Sequence, residues 1–366
     1  MHPTAALKGC AAVAAALVLV AQAFEPAVSA QEIRPSFSEW LAGVRSEAVA
    51  RGVKAEIVDE ALAGVEEPLP VVLERDRSQA ETVFSLEHYI ARGLTPRLIA
   101  SGREAYAAHR DLLDEVGAAY GVPPQIIAAI WGIESNYGRF TGVRPTVAAL
   151  ATLAWDPRRA TFFRGELFNA LEILNRGDID LDHLKGSWAG AMGQVQFMPS
   201  SYLQYAEDYD GDGRRDIWST PSDIFASIAN YLSARGWTLD TQWGREVKIA
   251  PKLATRIHAD VAMRTGTCQA IRNMTVALPP AKWKALGVRL TTGRPLPKSD
   301  VPSSLVSGST RYFLVTPNYD AILEYNCSHS YAITVGLLGD AIASSGRIKA
   351  TAAPKSRSKA GRRKRG

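Results

Sequence analysis

Apolar residues recur at helical spacing along most of this chain. Before residue 121 they do so over residues 36–51, 54–63, 78–92 and 96–119, which predicts a run of helices. Ser36 followed by Glu39 has the spacing of a capping box at the first of these starts. The next stretch, GVPPQIIAAIWGIESNYGRFTG at residues 121–142, is an apolar helix that carries one carboxylate near its end. Gly121 interrupts the preceding segment, and Pro123 and Pro124 suit the first turn of a new helix. Ile126, Ile130 and Ile133 then lie on one stripe, with Ile127, Trp131 and Glu134 beside them; Gly138 is placed to end the helix. Helical spacing continues over residues 146–153, 157–176 and 221–234.

From about residue 243 to 316 the pattern changes. Pro, Gly, Thr and Val become frequent, and short runs such as REVKIA and TRYFLVT read as strands. Helical spacing returns at residues 320–325 and 331–343. The expected fold is therefore mainly α with α+β character. It has an N-terminal helical domain (31–120), a helical core (121–242), a small β-rich insertion (243–316), and C-terminal helices (317–346) that pack back on the core.

The two ends fall outside this pattern. Lys8, the apolar run AAVAAALVLVAQAF and the small residues Val28-Ser29-Ala30 make residues 1–30 a signal peptide cleaved near Ala30, which implies export to the periplasm. Residues 347–366 carry nine Lys or Arg and no acid, so a disordered basic tail is expected. Without those nine, 33 basic residues against 37 acidic ones leave −4, although the whole chain is +5. The tail is open to contact with the cell wall or an anionic envelope surface, or to simple solvation; no nucleic-acid partner is expected, and the protein is expected to be a monomer. After cleavage Cys268 and Cys327 remain, either as a disulfide or as two buried thiols. Neither CxxC nor HExxH spacing occurs, so no zinc or redox centre is indicated.

Four segments carry chemistry. Glu134 is a lone carboxylate on an apolar face near the negative end of its helix, where its pKa is expected to rise. An acid still protonated near neutral pH is what glycosidic cleavage requires, whereas the plainer alternative is a surface glutamate closing an amphipathic helix. Residues 184–202, LKGSWAGAMGQVQFMPSSY, combine small residues with Gln194 and Gln196. Such a segment suits either close backbone approach to a sugar with amide hydrogen bonds, or tight packing. In DYDGDGRRDIWS, Asp208, Asp210 and Asp212 occupy the first, third and fifth positions of a calcium loop, with Gly213 at its turn and the Arg214 carbonyl next. Ser219 stands where that loop has glutamate, so Asp223 is a candidate for the missing carboxylate; a solvated acidic turn is the alternative. Finally, Tyr325, Asn326 and Tyr331 flank a junction between helices, suited either to stacking on a sugar and bonding its acetamido group or to simple capping.

These motifs, in this order over residues 37–343, resemble those of the membrane-bound lytic transglycosylase B family, which cleaves peptidoglycan. The resemblance rests on GVPPQIIAAIWGIESNYGR, ALATLAWDPRRATFFRGEL, LKGSWAGAMGQVQFMPSSY, the calcium-type loop, ANYLSARGW, and TPNYDAILEYN with YAITVGLLGD. It implies a lysozyme-like helical core and makes Glu134 a single catalytic acid and base. It places Ser187, Gln196, Tyr231, Tyr325, Asn326 and Tyr331 along a peptidoglycan groove. It gives Asp208, Asp210, Asp212 and the Arg214 carbonyl to a structural Ca2+, with Asp223 matching only after a one-residue shift, and it requires no catalytic cofactor. The implied reaction cuts MurNAc-β-1,4-GlcNAc and leaves 1,6-anhydromuramic acid. A hydrolytic muramidase and a non-catalytic peptidoglycan binder are the rival readings.

Overall fold

The computed structural model describes residues 35–79 and 84–350, and from Phe37 onward the chain forms one compact unit. Six helices come first: α1 (Phe37–Ala50), α2 (Ala55–Ala63), α3 (Pro70–Gln79), α4 (Leu86–Gly93), α5 (Pro96–Ala108) and α6 (Arg110–Tyr120). The core follows with α7 (Pro124–Ser135), β1 (Arg144–Pro145), α8 (Thr146–Trp155), α9 (Ala160–Arg176), β2 (Lys185–Gly186), α10 (Pro199–Tyr205) and α11 (Pro221–Ala234). The insertion holds β3 (Gly244–Lys248), α12 (Pro251–Asp260), α13 (Gln269–Arg272), α14 (Pro280–Ala285), β4 (Arg289–Leu290), β5 (Ser304–Ser307) and β6 (Tyr312–Val315). The chain then returns through α15 (Pro317–Tyr325) and α16 (His329–Ala350). The fold is mainly α, as expected. The signal-peptide segment lies outside the described residues, as does the basic tail beyond Ala350, where α16 ends four residues into the segment assigned to that tail. Among the described residues no single helix is long and apolar enough to cross a membrane.

Two predicted helices are broken. The stretch 78–92 contains the end of α3 and the start of α4, where Ser85 caps the new helix by accepting from His88 N. The stretch 96–119 breaks at His109, whose ring is caught edge-on between Trp131 and Phe225, each 5.5 Å away. A tertiary contact thus overrides continuous local propensity.

Helix α7 is buried on nearly every side, from Ile126 through Gly132. Gly121, left-handed at φ 69°, closes α6, and α7 leaves at 111° to it. Helix α16 packs along α7 so closely that a Cβ on Gly339 would lie 2.8 Å from the Ile126 side chain. The β1–β2 ladder, Arg144 opposite Gly186, brings the chain leaving α7 against the small-residue segment.

The insertion is a four-stranded antiparallel sheet in the order β4-β3-β6-β5. Its alternation serves two cores. Val306, Phe313 and Val315 join the main helical core, whereas Val247, Leu305, Tyr312 and Leu314 build a separate small core with Trp283 and Ile257. A disulfide between Cys268 and Cys327, left open by the sequence, ties the start of α13 to the α15–α16 junction across 59 residues. Closing a loop of that size removes unfolded-state entropy equivalent to about 4 kcal/mol in the simplest chain model.

Candidate active site

Glu134 lies in the last turn of α7. That turn ends two residues earlier than Gly138 alone would set it. Asn136 takes the left-handed conformation (φ 51°), and Tyr137 (φ 60°) and Gly138 (φ 77°) follow it there. Two successive non-glycine residues in this region are strained and persist only where their surroundings enforce them. Here the enforcement is visible. The Tyr137 side chain fills a slot between α5 and α7 in which a Cβ on Gly102 or Gly132 would stand 2.3 or 2.4 Å from its atoms.

The Glu134 residue keeps partial contact with solvent, while its carboxyl is set deeply enough that desolvation pushes its pKa up from 4.5 to about 7. The Tyr331 hydroxyl works against that shift. It lies near enough to favour the carboxylate, yet outside ordinary hydrogen-bond geometry, and it has no other partner. Among the described residues no aspartate or glutamate bears on Glu134; the ionisable groups that face it are the tyrosines Tyr89, Tyr325 and Tyr331. Burial, and then the Glu134 charge, raises all three phenol pKa values, so they remain neutral donors and acceptors.

Of the expected groove residues, Tyr231, Tyr325, Tyr331 and Gln196 come together. The rings of Tyr231 and Tyr325 are 4.7 Å apart, and Tyr325 and Tyr331 stack at 6.3 Å. Tyr325 donates its hydroxyl to the Val195 carbonyl at 2.7 Å, which fastens the small-residue segment to the tyrosines. Tyr231 donates to the Glu324 carbonyl at 2.6 Å, and burial pushes its pKa up to about 12. Gln196, held at φ 51°, donates its amide to the carbonyls of Thr141 and Gly193, at 3.2 and 2.9 Å. Beside it a pocket opens between Phe162, Met198, Ser201, Tyr231 and Tyr325.

Ser187 and Asn326 are placed differently. The Ser187 hydroxyl accepts from the backbone N–H groups of Ala189 and Ala191, at 3.2 and 3.1 Å, so it shapes its own loop while retaining its O–H to donate. Asn326 is exposed at the end of α15, next to the disulfide. Gln194, which the sequence left open between sugar contact and packing, is used internally: it accepts from Trp131 Nε1 at 2.6 Å and donates to the Trp218 carbonyl at 2.7 Å.

Sequence reasoning missed Tyr89. It arrives from α4, 45 residues before Glu134 and outside every motif segment. Helix α4 is pinned to the β5–β6 turn by Glu87, which accepts from the backbone of Thr310 and Arg311 at 2.7 and 3.1 Å. The insertion therefore supports one wall of the Glu134 site.

The aspartate loop folds as its spacing predicts. One carboxylate oxygen each from Asp208, Asp210 and Asp212 lies within 4.8 Å of the others. Loop amides bond these same side chains, Gly213 N to Asp208 at 2.9 Å and Arg214 N to Asp212 at 2.8 Å. Asp208 Oδ1 is buried with no hydrogen-bond partner, an acceptor that a cation would satisfy. Asp223 is not one of the three within 4.8 Å, though the Asp210 charge bears on it. It is 1% exposed and accepts from Tyr209 N and Asp216 N, both at 2.9 Å, because α11 starts beneath the loop and buries it there. Burial raises its pKa.

A mainly helical core holding a glutamate whose pKa burial raises, with tyrosines as the ionisable groups bearing on it among the described residues, points to a class. The profile of the family described as Transglycosylase SLT domain matches residues 36–340, and the chain belongs to that family. It is 36% identical over 260 residues to the membrane-bound lytic murein transglycosylase B of Escherichia coli, covering 70% of this chain and 66% of that relative's length. Among solved structures, SltB3 from Pseudomonas aeruginosa in complex with NAG-anhNAM-pentapeptide superposes with a TM-score of 0.76 at 40% identity, covering 84% of this chain and 80% of that one. The lytic transglycosylase Slt35 of Escherichia coli in complex with calcium gives 0.69 at 31% identity, covering 83% and 93%. The lysozyme-like description of the core agrees with these neighbours.

Proposed function

We propose that this chain is a peptidoglycan lytic transglycosylase that cuts the MurNAc-β-1,4-GlcNAc bond and leaves 1,6-anhydromuramic acid. The observation that carries this reading is a carboxyl held protonated to about pH 7 with no carboxylate opposite it among the described residues. Hydrolytic glycosidases ordinarily place two carboxylates across the scissile bond. With one, Glu134 first gives its proton to the bridging oxygen, and the C1–O bond breaks. The substrate N-acetyl group stabilises C1. The carboxylate then takes the proton from the C6 hydroxyl as its oxygen closes on C1. Glu134 ends protonated as it began, and no water is consumed.

Ser187, Gln196, Tyr231, Tyr325, Asn326 and Tyr331 line the groove in this reading, and Tyr89 joins them. Neutral tyrosine hydroxyls and ring faces suit sugar rings, and neighbouring structures were solved with NAG-NAM-pentapeptide and its anhydro form. Asp208, Asp210, Asp212 and the Arg214 carbonyl would hold Ca2+, which cross-links the loop and supplies no catalytic chemistry; Asp223 braces the loop from below. The orphaned Asp208 Oδ1 supports that assignment. Export to the periplasm and removal of residues 1–30 place the monomer beside its polymer, with the basic tail free to meet anionic envelope groups.

The test is mass spectrometry of murein digested by the wild type and by Glu134→Gln. Anhydro ends, lighter by one water than hydrolytic ends, are expected from the wild type alone. Reducing ends would make the enzyme a muramidase. Binding unaltered by the substitution, with no products from either protein, would make it a binder.

A further inference from the structure

Gln194 sits outside the groove but at the point where three parts of the site meet. Its Oε1 accepts from Trp131 Nε1 at 2.6 Å, its Nε2 donates to the Trp218 carbonyl at 2.7 Å, and its backbone N–H donates to the Ile217 carbonyl at 2.8 Å. A third surface presses on the same amide. A Cβ on Gly138, at φ +77°, would stand 2.4 Å from Gln194 Oε1. The side chain is thus held between the body of α7, the turn that ends it, and the far end of the aspartate loop.

Trp131 is three residues before Glu134 on the same helix. Its ring meets Phe225, Tyr137 and His109 edge-on at 5.0, 5.3 and 5.5 Å. It is 6% exposed, so its indole N–H depends on Gln194 for a partner. The last turn of a helix is its least secure part, and this one runs into the strained pair Asn136 and Tyr137. A carboxyl carried there keeps a fixed direction only if the turn is braced.

We propose that Gln194 is a positioning residue for Glu134: it clamps Trp131, packs on Gly138, and so couples the direction of the catalytic carboxyl to the placement of Ile217 and Trp218. The proposal rests on Glu134 being the acid and base of the reaction proposed above. Gln194 itself touches no reacting atom.

The test uses the full chain and soluble murein fragments, with Gln194→Met, which keeps the volume and loses both side-chain bonds, and Trp131→Phe, which removes the indole donor from the other side. Rates are taken per folded molecule, with the folded fraction read from thermal unfolding. Each variant is expected to lower kcat roughly tenfold or more with KM within about twofold, and the double variant to be no slower than the slower single. NMR titration of the Glu134 carboxyl, among Tyr89, Tyr325 and Tyr331, is expected to shift toward the ordinary carboxylate range in Gln194→Met, because a loosened turn admits water. Unchanged kcat and titration, a rise in KM alone, or losses that multiply in the double variant would overturn the clamp. Should Gln194→Met not fold, Trp131→Phe decides on the same readouts. Wild-type products decide the underlying reaction, while the titration decides the clamp even without turnover.

Discussion

Glu134 and the Asp208–Asp212 cluster carry the same functional group into opposite settings. Among the described residues the ionisable groups bearing on Glu134 are tyrosines, and desolvation raises its pKa to about 7. The three aspartates are crowded within 4.8 Å at the surface, two of them exposed, on a loop whose own amides hold them in place. Removing neighbours and water makes a carboxyl an acid; gathering carboxylates where water and ions reach them makes a cation seat. On the readings proposed above, proton chemistry and metal binding are separated by placement, with Gln194 bonded to both the α7 tryptophan and the end of the aspartate loop.

The comparison breaks most sharply at Glu134→Gln. Turnover is expected to fall by roughly 10³-fold or more, at the upper end of general acid–base contributions, with anhydro products lost by mass spectrometry. The same change is expected to stabilise the fold at higher pH. The folded state holds the Glu134 proton up to about 7, whereas an unperturbed glutamate releases it near 4.5. Between these values the folded chain binds more protons, so this group's contribution is full below 4.5 and is lost as pH rises through 7. Thermal unfolding above pH 7 should favour Glu134→Gln over the wild type by up to about 3 kcal/mol; equal stability would mean the carboxyl is not desolvated. For wild-type activity the sign is the same, since the protonated acid starts the reaction: kcat/KM should decline above about pH 7.

The loop is expected to answer to a cation rather than to protons. Calcium at 100 times its dissociation constant should stabilise the wild type by about 2.7 kcal/mol, seen as a rise in Tm that chelation reverses. Asp210→Ala should remove most of that response; a calcium-dependent Tm that survives it would relocate the ion. The smallest effect sharpens the cleft side. Tyr331→Phe deletes the hydroxyl that lowers the Glu134 pKa, so the alkaline limb of the pH profile should move upward, by less than about one pH unit. Movement downward would show that the hydroxyl favours the protonated acid instead.

Much of this site is visible in the chain because its pieces are local. The apolar helix with one carboxylate, the Asp spacing and the paired tyrosines are each contained in a short run of residues. Tyr89 and the Gln194 clamp are not. Their meaning comes from partners such as Trp131, 63 residues from Gln194, and spacing along a chain does not encode such encounters. The role of Gln194 stayed open in the sequence because a glutamine among small residues offers the same donors and acceptors to a sugar as to an indole and a carbonyl. The place of Asp223 was likewise not legible, since the amides of Tyr209 and Asp216 that it accepts are brought to it by folding. The mainly helical fold was legible from periodicity, whereas the β4-β3-β6-β5 pairing was not: strands of two to five residues announce their conformation but not their neighbours.

The Cys268–Cys327 bridge fastens the insertion to the junction bearing Asn326, just ahead of Tyr331. Such bonds survive outside the cytosol and are reduced within it. A chain still inside the cell that made it would therefore carry that junction without its covalent strap. If the chain is exported as proposed above, delivery and completion coincide: the junction gains its covalent strap only outside the cytosol.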